Sequence, residues 1–142
     1  MRVDDCFEKR LLRRTKPDPL KVKKALEMAK VKKERALNLF KNDFFEESIV
    51  ASYTSMFQAA RALLFNAGII EKSHACVVAY LREYYSSKLG QNMINCLDTY
   101  RLERHESFYG LEKTTIDEDE AKDALEKSEK FLESVQLILQ KP

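Results

Sequence analysis

Glycine, proline and long apolar runs are all scarce in this sequence. Three glycines and three prolines among 142 residues leave few positions for the tight turns of a β architecture. No run of eighteen apolar residues occurs, and residues 1–5 lack the apolar segment of a secretory signal. We therefore expect an all-α protein of the cytoplasm that has no contact with a membrane.

Cysteine is also rare, and its arrangement is uninformative. Cys6, Cys76 and Cys96 are odd in number and widely spaced, with no C-x-x-C pair and no histidine at metal-ligand spacing. This pattern predicts three buried thiols, with neither a disulfide framework nor a metal site. A glycine-rich phosphate loop, a Ser-His-Asp arrangement and paired carboxylates are missing too, so we expect no cofactor and no kinase, NTPase or hydrolase chemistry.

The net charge of +2 hides an uneven distribution. Residues 1–41 carry a net charge of +8, whereas residues 103–142 carry −5. A basic end of this kind is compatible with a nucleic-acid surface. The interpretation that we favour is that the two ends form long helices that pack side by side with complementary surfaces.

The chain divides into a short N-terminal segment and a helical bundle. Pro17 and Pro19 separate a helical segment at about 5–14, within residues 1–16, from a bundle that spans residues 18–141. Asp18 followed by Pro19 is typical of an N-cap with proline at the first helical position. That helix is predicted to end near Asn42, and Asp43 with Glu46 resembles a capping box for the next one.

The next helix, at about 44–67, is apolar on most of its circumference. Between Ser48 and Ile70 its one charged residue is Arg61, and Gly68 follows where a left-handed residue would end it. Such a helix must be surrounded by others. We therefore predict that it is the central helix of the fold.

Three more helices complete the prediction. One starts at the N-cap Ser73 and covers 75–88 before Gly90, one begins near Gln91, and the last follows a capping box of Asp117 with Glu120. Residues 108–116 are predicted to connect the last two. The sequence thus predicts a single domain, 1–142, folded as an up-and-down bundle of four to five main helices that forms a symmetric dimer.

Three short strings in the sequence resemble a known family. Residues 52–64 read SYTSMFQAARALL, residues 73–74 read SH, and residues 101–110 read RLERHESFYG. They are similar, in order and spacing, to the small stand-alone prokaryotic branch of the HEPN domain family, whose central helix carries SYYAMFHAARALL. The resemblance extends from about residue 24 to residue 139.

This resemblance implies a dimeric bundle of four to five helices. Members of the family are often encoded beside a minimal nucleotidyltransferase, and in several branches they act as metal-independent RNase toxins or bind RNA. The RNase branches use an R-x4-6-H pattern, and its counterparts here are Arg101 and His105, as catalytic residues, in a pattern that is one residue shorter. Arg104, Arg61 and His74 are the residues expected to bind RNA or phosphate. For Arg61 an ion pair, and for His74 a role in covering the end of the central helix, are the structural alternatives.

RNA cleavage without a metal requires proton transfer and fixed positive charge. His105 can exchange protons near neutral pH, and the guanidinium of Arg101 can hold phosphate. Four residues apart, they share one face of a helix, although an exposed Arg/His pair at this spacing is often simply solvated. We expect an RNA- or nucleotide-associated protein that works with a nucleotidyltransferase as an RNase or a substrate-binding module, the alternative being a non-catalytic interaction module with a decayed Arg/His motif.

Overall fold

Helices dominate the fold, as the sequence predicts. The computed structural model describes the backbone of residues 2–109 and 116–140 and the side chains of residues 2–102 and 116–140. Within these ranges the helices are α1 (Val3–Glu8), α2 (Pro19–Lys41), α3 (Phe45–Asn66), α4 (His74–Tyr84), α5 (Ser86–Leu89), α6 (Gln91–Tyr109) and α7 (Glu118–Gln140). Two short strands, β1 (Leu12–Arg14) and β2 (Ile69–Glu71), accompany them. The predicted all-α bundle is confirmed.

Helix α2 begins and ends where its sequence signals predict. The Asp18 carboxylate accepts a hydrogen bond from the Lys21 amide at 3.1 Å, and Pro19 occupies the first turn, where no amide proton is needed. Asn42 caps the other end. The predicted capping box at Asp43 is wrong: Asp43 has a positive φ of 64°, and α3 starts without a side-chain cap.

Helix α3 is the central helix. Its buried residues lie on nearly all sides, and it contacts α2, α4, α6, α7 and β2. Small side chains let α2 approach closely, because buried Ser48 and Ser55 donate hydrogen bonds to the carbonyl oxygens of Ala36 and Ala29 at 2.8 and 2.7 Å. The prediction of an enclosed apolar helix is confirmed.

The N-terminal segment differs from the prediction. Helix α1 ends at Glu8 rather than near Arg14, and β1 pairs antiparallel with β2, Leu12 facing Glu71 in the register. Leu12 is buried, and pairing with β2 satisfies main-chain groups of β1 that a helix would otherwise satisfy. The strand pair adds a small sheet to one side of the bundle.

The cysteines also differ from the prediction. Cys6 of α1 and Cys76 of α4 form a disulfide with a Cα–Cα distance of 5.8 Å, within the usual range for this bond. Cys96 is a free, half-buried thiol. Seventy residues separate the bonded pair, and their proximity depends on the packing of α1 against α4, which no local pattern encodes.

The later elements follow the predicted order with shifted ends. The Ser73 hydroxyl accepts a hydrogen bond from the Cys76 amide at 3.2 Å, which confirms the cap of α4. Helix α4 ends at Tyr84, before the predicted residue 88, and α5 fills the interval up to Gly90. Helix α6 continues to Tyr109, past the predicted start of the connection at 108, and residues 110–115 of that connection lie outside the described residues.

The basic and acidic ends of the chain pack together as we favoured. Helix α2 contacts α7, and Lys33 lies 3.9 Å from a carboxylate oxygen of Glu129. Just before α7, the Asp117 carboxylate accepts a hydrogen bond from the Glu120 amide at 2.9 Å, as a capping residue does. Of the helices described, none combines the length and apolar character that crossing a membrane requires.

Candidate functional site

Arg101 lies on α6 and is held by a carboxylate one turn earlier. Its Nε and Nη2 atoms are both 2.9 Å from Oδ1 of Asp98. Arg82 of α4 reaches the other oxygen of Asp98 at 3.3 Å and donates to the side chain of Asn95 at 2.7 Å. Asp98 therefore positions the predicted catalytic arginine and ties α6 to α4.

The rest of the predicted catalytic segment is described by its backbone alone. Arg104 and His105 belong to helix α6, and their side chains lie outside the described residues. Positions 101 and 105 are four residues apart within one continuous helix, so they share a face. The catalytic roles of Arg101 and His105 stay a prediction.

Arg61 of α3 forms an ion pair, the structural alternative that the sequence left open. Its Nε donates to Oε1 of Glu71 in β2 at 2.7 Å, and its Nη1 donates to the Gln58 side chain at 3.2 Å. The guanidinium also lies 5.1 Å from the centre of the Phe65 ring, within the range of a cation–π contact. Because Arg61 remains one-third exposed, it can also meet a ligand from outside.

His74 packs against the face of α3 that carries Arg61. Its Nδ1 lies 2.8 Å from the hydroxyl of Tyr53, and its ring stacks on Phe57 with centroids 3.9 Å apart. Residues 53, 57 and 61 follow one another at four-residue spacing, so they form one stripe along the helix. The link from β2 to α4 lies over this stripe and brings Arg61 and His74 to the same side of α3.

Three tyrosines cluster at the end of α4. The ring of Tyr80 lies 4.7 Å from that of Tyr84 and 6.3 Å from that of Tyr85, measured between centroids. Burial raises the pKa of Tyr80, with a smaller contribution from the neighbouring tyrosines, and burial raises the pKa of Tyr85. The raised pKa keeps the phenols of Tyr80 and Tyr85 neutral over the physiological pH range.

Sequence reasoning missed the partners of the predicted residues. Asp98, Arg82 and Glu71 position Arg101 and Arg61, yet each is an ordinary charged residue in its local sequence. A local signal exists for Asp98, since it precedes Arg101 by three residues, a spacing at which opposite charges meet on a helix. In the side chains that the structure describes, His, Cys, Asp and Glu form no group of three that could hold a metal ion.

Comparison with known proteins agrees with the fold. No curated protein matches the chain. The family model described as the HEPN domain matches residues 22–138, a region that starts within α2 and ends within α7. It contains the central helix and the whole of α6, and thus all five predicted site residues. Because this match covers most of the sequence, the chain belongs to the HEPN domain family.

Proposed function

We propose that this HEPN protein binds RNA through segment 101–105 of α6 and cleaves it without a metal ion. Membership of the family supports an association with RNA or nucleotides in general. The observation that carries the proposal is the fixed position of Arg101, held by two contacts to Asp98 on the helical face shared with position 105. A fixed guanidinium can stabilise the charge that develops on a phosphate during cleavage.

In this mechanism the chain's own residues supply both the charge and the proton transfer. Neutral His105 accepts the proton of the RNA 2′-hydroxyl, whose oxygen attacks the adjacent phosphorus, and the bond to the 5′-oxygen of the next nucleotide breaks. An imidazolium then returns a proton to the leaving oxygen. In a symmetric dimer the His105 side chains of two copies can take the two roles, while Arg101 and Arg104 bind the phosphate.

The second candidate is a non-catalytic binding or interaction module. Its support is the same Asp98, because a carboxylate that already pairs with Arg101 competes with a phosphate for that guanidinium. The shortened R-x3-H spacing points the same way. Under this candidate the protein binds RNA or its partner and presents a substrate, without cleaving it.

The decisive experiment separates binding from cleavage. Single-stranded and structured RNAs are incubated with the purified protein in the presence of EDTA, and H105A, R101A and R101K are compared with the parent. We expect H105A to retain RNA binding and to lose at least about 100-fold in cleavage rate. Equal cleavage by the parent and H105A overturns the catalytic proposal, and binding without cleavage by the parent selects the second candidate.

The partners are proposed as well: a second copy of the chain and a minimal nucleotidyltransferase. Light scattering tests the first, since a dimer has about twice the chain mass of 16.6 kDa. Expression of the protein alone, and then with a nucleotidyltransferase encoded beside it, tests the second. A toxin-like RNase arrests growth in the first case and is restrained in the second, whereas harmless expression contradicts toxicity.

A further inference from the structure

A basic groove lies beside the C-terminal half of α3. We call it the α2–α3 groove, a cavity of about 330 Å³ lined mainly by Lys21, Lys24 and Met28 of α2 and by Gln58, Arg61 and Phe65 of α3. Its volume is at the lower end of the range for small-molecule sites. The groove therefore has room for a ligand of about the size of a mononucleotide.

Two cations in this groove share one aromatic ring. The Nζ atom of Lys21 lies 5.6 Å from the centre of Phe65, and the guanidinium carbon of Arg61 lies 5.1 Å from the same centre. The ring attracts both charges electrostatically and so holds them in one small region. An anion that contacts both cations would relieve their mutual repulsion.

The charges of the groove are only partly neutralised. Glu71 pairs with Arg61 and is itself nearly buried, with 11% of its side chain exposed. Among the side chains that the structure describes, neither Lys21 nor Lys24 forms an ion pair with a carboxylate. The groove thus keeps a net positive charge that is available to a phosphate.

The wall of the groove is apolar as well as basic. Met28, a large side chain that is 42% exposed, lies one turn after Lys24 on α2, and Ile70 of β2 lines the other side. The side chain of Gln58 adds hydrogen-bonding groups. A purely inorganic anion uses none of these features, whereas a ligand that joins a flat base to a phosphate uses all of them.

We propose that the α2–α3 groove binds a nucleoside phosphate, either as a free nucleotide or as one unit of an RNA strand. The phosphate contacts Lys21, Lys24 and Arg61, and the base lies against Met28 with its edge near Gln58. This inference deepens the predicted phosphate-binding role of Arg61. It is independent of the α6 segment, because none of the groove residues belongs to α6.

The test compares two double variants that change the charge of the same helix equally. K21E/K24E reverses the two groove lysines, and K23E/K30E reverses two other exposed lysines of α2 that do not line the groove. Arg61 is left intact because its replacement would leave the nearly buried Glu71 without its ion-pair partner. Since all four lysines are exposed, both proteins should fold, and circular dichroism with thermal unfolding verifies this.

Calorimetric titrations use ATP, AMP, inorganic phosphate and a single-stranded RNA oligonucleotide. We expect Kd for ATP to rise at least tenfold in K21E/K24E and to change little in K23E/K30E. We also expect AMP to bind more tightly than inorganic phosphate because of the base. Equal loss in both variants overturns the groove as the site, and equal affinity for AMP and phosphate overturns the nucleoside part of the proposal.

The RNA titration distinguishes the two sources of the ligand and separates this inference from the proposed function. If RNA occupies the groove, K21E/K24E loses two phosphate contacts. The plot of log K against log salt should then be less steep than for the parent, by about 1.4 in the magnitude of its slope. An unchanged slope together with weakened ATP binding assigns the groove to a free nucleotide. H105A that binds ATP like the parent supports the independence of the two sites, whereas loss of ATP binding in H105A contradicts it.

Discussion

Arg61 of the central helix donates a hydrogen bond of 2.7 Å to Glu71 of strand β2. The pair joins a helix that carries no other charged residue after its first turn to the small sheet at its C-terminal end. Glu71 is nearly buried, and among the described side chains Arg61 is the cation that pairs with it. The arginine therefore has a structural role whether or not it also binds a ligand.

Loss of this pair should destabilise the folded protein, because the nearly buried carboxylate of Glu71 loses its partner. We expect Arg61→Ala to lower the free energy of unfolding by about 1.5–3 kcal/mol, because Glu71 is left desolvated without its charged hydrogen-bond donor. Arg61→Ala combined with Glu71→Gln should recover part of that loss. Urea unfolding measures both, and an Arg61→Ala protein as stable as the parent would contradict the assigned role.

The disulfide between Cys6 and Cys76 predicts a specific thiol count. The unfolded protein should take up one equivalent of alkylating reagent, at Cys96, without reductant and three with reductant. Reduction or Cys6→Ser should lower the free energy of unfolding by about 2–4 kcal/mol, because the open chain gains entropy when unfolded. Cys96→Ser is the control, and three reactive thiols in non-reduced protein would rule out the bond.

Two glycines with positive φ should differ in their tolerance of a side chain. A Cβ on Gly68 would lie 2.4 Å from the carbonyl oxygen of Thr15, whereas a Cβ on Gly90 meets no atom within 4 Å. We expect Gly90→Ala to cost about 1–3 kcal/mol from backbone strain alone. Gly68→Ala should cost more than about 3 kcal/mol, since a backbone clash is added. Thermal unfolding of the two variants decides, and equal losses would contradict the close approach at Gly68.

The tyrosine cluster predicts a loss of stability in alkali. Because burial raises the pKa of Tyr80 and Tyr85 in the folded protein above the ordinary value of 10.0, the folded state binds its phenolic protons more tightly than the unfolded state. This contribution is complete below pH 10 and is lost as the pH rises through the folded-state pKa values. The free energy of unfolding should therefore fall above about pH 10.

Phenylalanine variants test the origin of that fall. Tyr80→Phe and Tyr85→Phe should flatten the alkaline slope, because the ionisable group is removed from the buried site. Tyr84→Phe, at a half-exposed position, serves as the control. A slope that is the same in all three variants would contradict the assignment to the buried phenols.

Much of the fold could be predicted from the sequence because its signals are local. Asp18 with Pro19, Ser73 and Gly68 mark helix boundaries through the hydrogen bonds and φ values that those residue types favour. The apolar character of α3 likewise required that other elements surround it. Strand β1 could not be predicted, because three residues become a strand only where β2 lies alongside, and the disulfide depends on a contact between segments 70 residues apart.

The candidate site was predictable in its residue types but not in its pairing. Arg61 stands out because it is a charged residue in an otherwise apolar segment. Arg101 stands out because it lies in a string that resembles a family motif. Which carboxylate each one meets depends on how α6 lies on α4 and how β2 follows α3, and these are tertiary contacts. Lys21 and Lys24 are two of many lysines in α2, and their proximity to Arg61 could be seen only once α2 was placed beside α3.

The strand pair and the disulfide affect where this chain can be truncated. The family match begins at residue 22, yet the preceding segment forms β1 and covers part of α4. A fragment starting at the family boundary would leave β2 with an open hydrogen-bonding edge and α4 with an uncovered apolar patch, both of which favour aggregation. We therefore expect a stable fragment to need α1 and β1 in addition to the region that the family model matches.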